Sequence, residues 1–434
     1  MWREANPMCP GVTHATKAAQ HRANRVASGG ESGEREGGRG RKQSGELWFK
    51  SWCFINIFLQ LRGFAGCAGR RRSSSRSGSL LSGQRAGCLQ SSCRREREIE
   101  QRLGWERRMS VFLYFILPVV GGYALSSVYL LRNPHVLHRK KRTAFYCTHI
   151  SHRGGGGEKI ESTMEAFTHA VKQGTQMLEM DCHLTRDGHV VVSHDENLLR
   201  QTGHDADISS LNLQDLPLYK ESLEVTFYEG RYSSGADRKF ALLEDVFRKF
   251  PEMPVSVEIK ENNHQLIEKV SDLVRRYNRE EITVWASVKS GILEECRRTN
   301  GSMPYSFSGS RGVLVLLLFY SGLLPFVPLG ESLLQFYLPR IINRTYIPEE
   351  GILRNKLVIS LLEKVTMRKS LFKHLSARGI QVHLFVCNKD DDIKAAFEVG
   401  ATGVMSDYPT LLSSYLCRNP RPRAATTEEN PGAL

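Results

Sequence analysis

The stretch that decides the fold reads MLEMDCHL and covers residues 177–184. It is largely apolar along its length, which predicts a strand buried inside a sheet rather than one at its edge. An amphipathic helix is predicted just before it at residues 163–173, and another strand precedes that helix at residues 146–151. Strand, helix and strand in this order form a βαβ unit, which predicts a parallel sheet.

The same alternation continues along the chain. Further helices are predicted at residues 266–277, 290–298, 366–378 and 391–399. Further strands are predicted at residues 190–194, 255–260, 282–286, 305–308, 341–346, 380–386 and 403–405. This many units over about 270 residues predict an α/β fold of the closed TIM (β/α)8 barrel type, placed at residues 145–415.

Sequence outside the barrel carries most of the charge. The chain has 434 residues and a formal net charge of +14, and much of that charge precedes Met109 in runs such as Arg70-Arg71-Arg72. Residues 1–108 are rich in Gly, Ser and Arg, which predicts a disordered leader, and residues 416–434 are predicted to be a disordered tail. No nucleic-acid fold signature occurs, so nucleic acid is not predicted as a partner.

An uncharged run at residues 111–131 has the length of a transmembrane helix. A signal peptide is the alternative, but the run is long for a signal core and no clear small-residue cleavage site precedes the basic block at residues 132–142. We therefore predict a single-pass membrane anchor. Its orientation stays open, because Arg and Lys flank both ends.

A second apolar region, at residues 312–338, interrupts the alternation of strands and helices. It contains VLVLLLF at 313–319 and LLPFVP at 323–328. Pro325 and Pro328 argue against a second membrane span. An insertion that covers the barrel or dips into lipid is one prediction, and a buried core helix fits the periodicity equally well.

Three acidic residues are predicted near the carboxyl ends of strands, where barrel enzymes keep their active sites. Glu179 and Asp181 are two residues apart on one strand, so both carboxylates project to the same side. Burying both without a counter-charge is costly, and Glu258 on another strand supplies a third carboxylate. This all-oxygen set favours Mg²⁺ or Ca²⁺ over Zn²⁺. Solvated surface charge is the alternative, weakened by the apolar residues that flank the pair.

Two histidines at predicted strand ends, His152 and His194, are candidates for acid/base chemistry. Cleavage of a phosphodiester needs a base for the nucleophile and an acid for the leaving oxygen, and two histidines can share these tasks. Arg153 and Lys260 are predicted to neutralise the phosphate. Ordinary surface charge is the competing interpretation, and it fits Lys260 better than Arg153. The glycines at 154–157 would let the backbone approach a ligand closely.

Together these motifs resemble those of the glycerophosphodiester phosphodiesterases. The resemblance extends over residues 149–409 and rests on HRG at 152–154, EST at 161–163, EMD at 179–181, LTRDG at 184–188, VSHD at 192–195 and EIK at 258–260. It implies the same roles as the reasoning from the residues: metal ligands Glu179, Asp181 and Glu258, an acid/base pair His152 and His194, and phosphate ligands Arg153 and Lys260.

The chain departs from the family pattern at three positions. Ser162 stands where the family usually has asparagine, Phe385 where a tryptophan is common, and Ser406 where threonine is commoner. The anchor and residues 323–328 and 367–371 are similar to the small membrane-anchored mammalian branch of the family. That similarity implies lysophospholipase D activity on lysophospholipids, a membrane as partner, and a location in the endoplasmic reticulum or perinuclear membranes.

Three other functions share part of this pattern. A water-soluble glycerophosphodiesterase would act on deacylated head-group esters, and the membrane features count against it. A phosphoinositide phospholipase C also uses a barrel and two histidines, but its chemistry does not need the three-carboxylate set in every branch. A non-catalytic lipid-binding protein is disfavoured because every proposed ligand and both histidines are present. The sequence predicts no particular oligomeric state.

Overall fold

The computed structural model describes residues 100–102, 104–105, 107, 109–348 and 351–420. The predicted leader therefore lies almost wholly outside the described residues, as does most of the predicted tail. The described chain divides into two compact units, one containing residues 140–312, 330–348 and 351–420 and the other containing residues 109–139 and 313–329.

The first unit contains the barrel. Its strands in chain order are β1 (His149–Ser151), β2 (Met177–Leu184), β3 (Val190–Val192), β4 (Ser222–Glu224), β5 (Tyr232–Ser234), β6 (Ala241–Leu242), β7 (Val255–Glu258), β8 (Thr283–Ala286), β9 (Leu333–Tyr337), β10 (Gln381–Phe385) and β11 (Gly403–Ser406). Parallel pairing runs in the order β8-β7-β2-β1-β11-β10-β9. Parallel bridges from Tyr305 to Trp285 and from Ser306 to Leu333 close the ring. The predicted TIM-barrel fold is confirmed.

Amphipathic helices surround the sheet. In His264–Arg276, the side chain of Asn263 accepts a hydrogen bond from the backbone N–H of Leu266 and caps the helix. Leu266, Val270 and Val274 then form a stripe that is buried against the strands, because residues four apart share one face of a helix. The other helices of this unit are Met164–Lys172, Leu199–Thr202, Leu243–Lys249, Ser290–Thr299, Lys356–Thr366, Lys369–Ala377, Asp390–Glu398 and Pro409–Arg418.

Strand β2 is longer than its barrel neighbours, and this length shapes the site. Its first part pairs with β1 and β7, whereas Cys182 to Leu184 pair antiparallel with β3. The chain therefore turns beyond the barrel rim and comes back. The backbone N–H of Ser193 donates to the carbonyl of Asp181. His194 follows Ser193, so this hydrogen bond brings His194 level with the carboxylates of β2.

Some predicted elements need correction. The strand predicted at 341–346 is wrong: the barrel strand is β9, Leu333–Tyr337, which the prediction had included in the apolar insertion. A strand buried on both faces is apolar throughout, so its sequence blends into an adjoining apolar region. The strand predicted at 190–194 exists as β3 but is antiparallel and stands outside the barrel ring. The hairpin of β4 and β5 was not predicted.

The second unit contains the predicted anchor. A helix from Met109 to Arg132, including a π-helical stretch at Phe112–Ile116, is by length and composition able to cross a membrane, and it is almost entirely exposed. The same unit contains residues 313–321 of the helix Gly309–Ser321 and the short 3-10 helix Leu324–Phe326. Most residues of Gly309–Ser321 are at least partly exposed, so the alternative of a buried core helix is wrong.

Candidate active site

The three predicted metal ligands come together at the carboxyl ends of adjacent strands. Glu179 and Asp181 lie on β2, and Asp181 is in register with Glu258 at the end of β7. One carboxylate oxygen from each of the three lies within 4.8 Å of the others. Glu179 and Asp181 are buried and Glu258 is partly buried. The parallel register thus converts the Glu-x-Asp spacing into a compact cluster of oxygen atoms.

The electrostatics of this cluster favour a cation. Burial and the neighbouring Asp181 raise the pKa of Glu179 above its ordinary value. Burial also acts to raise the pKa of Asp181, but Lys260, whose Nζ lies 2.8 Å from Asp181 Oδ1, lowers it below the ordinary value. Two buried carboxylates of which one resists ionisation, with a third beside them, form the oxygen donor set that a hard divalent cation prefers. The residues present therefore fit such a metal.

His152 follows β1 and is hydrogen-bonded to a residue that follows the last barrel strand, β11. Its Nδ1 lies 2.6 Å from Oδ1 of Asp407, the residue after β11. Asn388 donates from Nδ2 to the other carboxylate oxygen at 2.7 Å and fixes Asp407 in turn. Burial acts to lower the pKa of His152, but Asp407 and Glu179 raise it above the ordinary value. With Nδ1 engaged, Nε2 is the ring nitrogen left for proton transfer, and it lies 3.9 Å from Glu179.

His194 is held in the same way by its sequence neighbour. Its Nδ1 lies 2.6 Å from Oδ1 of Asp195, whose Oδ2 accepts from Nε of Arg200 at 2.5 Å. Burial, together with the positive charges of Arg153 and Lys260, lowers the pKa of His194 to about 3. The site therefore contains two histidines with opposite electrostatic surroundings, each oriented by a carboxylate.

The two predicted phosphate ligands occupy different settings. Arg153 is buried, and its Nη1 donates to Glu161 at 3.0 Å and to Thr226 at 3.1 Å. Its Nε is buried and has no hydrogen-bond partner among the described residues. Lys260 is mostly buried and also donates to the backbone carbonyl of His194 at 3.1 Å. Neither residue is an ordinary surface charge.

The glycine run at 154–157 serves packing within the protein. Gly154 has φ +78°, and a Cβ there would lie 2.6 Å from the ring of Phe167. A Cβ on Gly157 would lie 2.5 Å from the ring of Tyr408. These two glycines let the loop after β1 pack closely against Phe167 and Tyr408. The close approach of this backbone to a ligand stays a prediction.

A cleft of about 460 Å³, measured to its open mouth, adjoins the cluster. Its lining combines the polar residues His152, Glu179 and Glu258 with apolar residues that include Val288, Phe307, Phe385 and Met405. Phe385 stands where the family often has tryptophan, and its effect on substrate packing stays a prediction.

Sequence reasoning gave no role to several residues of this site. Asp195 stands in the motif VSHD and Asp407 follows Ser406, but nothing local shows that each binds a histidine. Thr226 and Phe227 belong to the unpredicted excursion between β4 and β5, and Phe227 packs edge-on against His152 with 5.8 Å between ring centroids. Asn388 follows β10 and carries no motif that would have revealed it.

Comparison with known proteins agrees with the motifs. The sequence model of the Glycerophosphoryl diester phosphodiesterase family matches residues 152–411. Lysophospholipase D GDPD3 of Homo sapiens is 50% identical over 319 residues, which are 74% of this chain and 100% of that protein. Lysophospholipase D GDPD1 of Homo sapiens is 48% identical over 307 residues, 71% of this chain and 98% of that protein. A glycerophosphodiester phosphodiesterase structure from Agrobacterium tumefaciens is 15% identical, has a TM-score of 0.42, and covers 62% of this chain and 99% of that one.

Proposed function

Since this chain belongs to the glycerophosphoryl diester phosphodiesterase family, we propose that it is a lysophospholipase D that releases the head-group alcohol of lysophospholipids. The observation that carries the proposal is the pair of carboxylate-bound histidines beside the cluster of Glu179, Asp181 and Glu258. Phosphodiester cleavage requires these parts: two groups for proton transfer and positive charge at the phosphate.

The reaction begins at the glycerol hydroxyl next to the phosphate, which a lysophospholipid has free. One of His152 and His194 takes the proton of this hydroxyl as its oxygen bonds to phosphorus. The bond from phosphorus to the head-group oxygen breaks, and the other histidine gives that oxygen a proton. A cyclic phosphate and the free alcohol result. Water then opens the ring, and the two histidines exchange roles to yield lysophosphatidic acid.

The charged residues around the histidines stabilise the phosphate. Glu179, Asp181 and Glu258 would hold the divalent metal, Mg²⁺ or Ca²⁺, which when bound supplies positive charge beside the phosphate oxygens. The buried Nε of Arg153 has no hydrogen-bond partner among the described residues, which supports a role for this N–H as a donor to a phosphate oxygen. Lys260, held between Asp181 and the backbone of His194, adds a point charge.

The cleft accounts for a lipid substrate. Its apolar lining residues, which include Phe307 and Phe385, contact the glycerol and the start of the acyl chain, while Arg153, Lys260 and the metal hold the phosphate. The helix Met109–Arg132 is the single-pass anchor that keeps the enzyme at the membrane, where lysophospholipids concentrate. The endoplasmic reticulum or perinuclear membranes remain the predicted location.

The test uses the full chain in detergent or vesicles, with Mg²⁺ or Ca²⁺. Three substrates are compared: lysophosphatidylcholine, its analogue with the neighbouring hydroxyl methylated, and diacyl phosphatidylcholine. We expect choline release from the first alone, because only it has a free hydroxyl next to the phosphate. Rapid release from either of the others would exclude the cyclic route. Glycerophosphocholine is assayed separately, and faster choline release from it than from lysophosphatidylcholine would instead assign the chain to deacylated esters.

Matched histidine variants test the site itself. His152→Ala and His194→Ala remove the proposed acid/base pair, and we expect each to lower kcat by about 10²-fold or more. His264→Ala is the control, because His264 is exposed and pairs with Glu268 and Glu295 at the surface. Activity that survives both site substitutions at the level of the control would contradict the proposal.

A further inference from the structure

The second unit contains an uncharged segment, residues 313–329, which we term the apolar insert. Its sequence is VLVLLLFYSGLLPFVPL. Large apolar side chains at every third position are exposed: Leu314, Leu317, Tyr320, Leu323 and Phe326. A soluble surface rarely presents so continuous an apolar stripe, so the insert calls for a partner.

The two ends of the insert are held at one place. In the first unit, Nε of Arg311 donates to Oε1 of Glu331 at 2.7 Å, and these residues flank the insert on either side. The chain therefore leaves and returns at the same point. The helix Gly309–Ser321 has 13 residues, or about 20 Å, which is too short for a hydrocarbon layer of about 30 Å. The insert is thus a re-entrant loop rather than a second span.

Two hydroxyl groups of the anchor helix donate hydrogen bonds to backbone carbonyls at the end of the insert's helix. The hydroxyl of Tyr123 donates to the carbonyl of Ser321 at 2.5 Å, and the hydroxyl of Ser127 donates to the carbonyl of Gly322 at 2.7 Å. Such carbonyls lack partners within their own helix. In water, solvent would satisfy them, whereas in hydrocarbon an unpaired carbonyl is costly. Side-chain donors at this place are therefore what a lipid environment requires.

The positions of Tyr123 and Ser127 along the anchor helix indicate how far the insert would reach into a bilayer. Ser127 stands five residues and Tyr123 nine residues before Arg132, so they lie about 7 and 13 Å from that end of the helix. Half of a hydrocarbon layer is about 15 Å. Beyond Arg132, Nε2 of His138 lies 2.8 Å from the carbonyl of Pro325, where the insert turns back. In a bilayer whose surface lies at Arg132, an insert with these contacts would reach the depth of one leaflet.

We propose that the apolar insert is embedded in the hydrocarbon of a single leaflet, paired with the anchor helix through Tyr123 and Ser127. The occupant of its exposed stripe is lipid. This inference rests on the anchor of the proposed function but not on the catalytic activity. The membrane-bound part then has two elements, an anchor helix that crosses the bilayer and an insert confined to one leaflet.

The test places the photoreactive residue benzoylphenylalanine, one site at a time, in the full chain reconstituted in phosphatidylcholine vesicles. Leu317 tests the insert, and Val119, which is 71% exposed on the anchor, is the positive control. Leu357 is the matched negative control, since it is 79% exposed on a helix of the first unit while Leu317 is 60% exposed. We expect lipid adducts after illumination at Val119 and Leu317, and several-fold fewer at Leu357.

The outcomes separate this inference from the proposed function, because none depends on turnover. If Val119 forms lipid adducts but the adduct yield at Leu317 is no higher than at Leu357, the anchor stands and the embedded insert is overturned. A protein–protein adduct at Leu317 in place of lipid would assign the stripe to a second copy of the chain and also overturn it. In the double variant Tyr123→Phe/Ser127→Ala, we expect the lipid adduct at Leu317 to fall several-fold while that at Val119 stays. An unchanged yield would contradict the role of the two hydroxyls.

Discussion

Nδ1 of His152 lies 2.6 Å from Oδ1 of Asp407, although 255 positions separate the two residues in the chain. The contact follows from barrel closure. Strands β1 and β11 are neighbours, and Ser151 is in register with Ser406, so the residues that follow them meet at the rim. The first and last strands of the barrel thus build one half of the acid/base pair.

Replacement of Asp407 by asparagine tests this contact. The side chain keeps its size, but an amide no longer stabilises the imidazolium or fixes the ring's tautomer. We expect kcat for lysophosphatidylcholine to fall by about 10²–10⁴-fold with little change in KM. Asp390→Asn is the control, because Asp390 pairs with Arg418 at the surface. Steady-state kinetics with activity close to wild type would show that Asp407 does not act through His152.

Glu179→Gln separates the stability of the cluster from its function. Burial and repulsion from Asp181 oppose ionisation of Glu179, so the neutral glutamine should raise Tm in the presence of a chelator. It should also weaken metal binding and lower activity by about 100-fold. Wild type should gain Tm when Mg²⁺ or Ca²⁺ is added, whereas the variant should not. The exposed Glu281→Gln serves as the control in calorimetry. A variant that still gains Tm with the cation would remove Glu179 from the ligand set.

The barrel was predictable because its signals are local. Strands such as Met177–Leu184 are apolar runs, and helices such as His264–Arg276 carry an amphipathic period, so each element can be read from a short window. The three carboxylates followed from the two-residue period of a strand and from the rule that barrel sites lie at the carboxyl ends of strands. These parts of the site agree with the predicted placement of Glu179, Asp181 and Glu258.

The parts that failed depend on contacts distant in sequence. Nothing near Asp407 shows that barrel closure brings it to His152. The position of His194 depends on β2 extending past the rim and on β3 returning antiparallel, whereas the prediction placed it after a barrel strand. Thr226 reaches Arg153 from a hairpin without a sequence signal. Local sequence patterns predict the helices and strands. The partners of the catalytic groups depend on how distant strands pair, which local patterns do not reveal.

Glu161 should make stability depend on pH. It is buried between Arg153 and Arg200. Burial acts to raise its pKa, but the two guanidinium groups lower it far below the ordinary value of 4.5. Because the folded-state pKa is depressed, the stabilisation is fully present above the unfolded-state pKa and is lost as pH falls below about 4.5. Glu161→Gln should therefore lower the free energy of unfolding by about 3–5 kcal/mol at pH 7. This difference from wild type should shrink on acidification.

Urea unfolding at pH 7, 5 and 4 measures this difference for Glu161→Gln. Glu363→Gln is the matched control, because Glu363 pairs with Arg340 at the surface and should cost less than about 1 kcal/mol at any of these pH values. If the loss in free energy of unfolding for Glu161→Gln stays constant down to pH 4, the ionisation of Glu161 does not contribute to folding.

Ser162 is the position at which a glycine should stabilise the protein. It has φ +59°, a left-handed conformation that is costly for residues with a Cβ, and its buried Oγ has no hydrogen-bond partner among the described residues. Ser162→Gly removes both penalties but adds freedom to the unfolded chain, so we expect a gain of up to about 1 kcal/mol. Ser271→Gly is the matched control. Its Oγ is likewise buried and without a described partner, but it lies inside the helix His264–Arg276, where glycine should cost about 1 kcal/mol. Urea midpoints that shift in the same direction for both variants would contradict the strain assigned to Ser162.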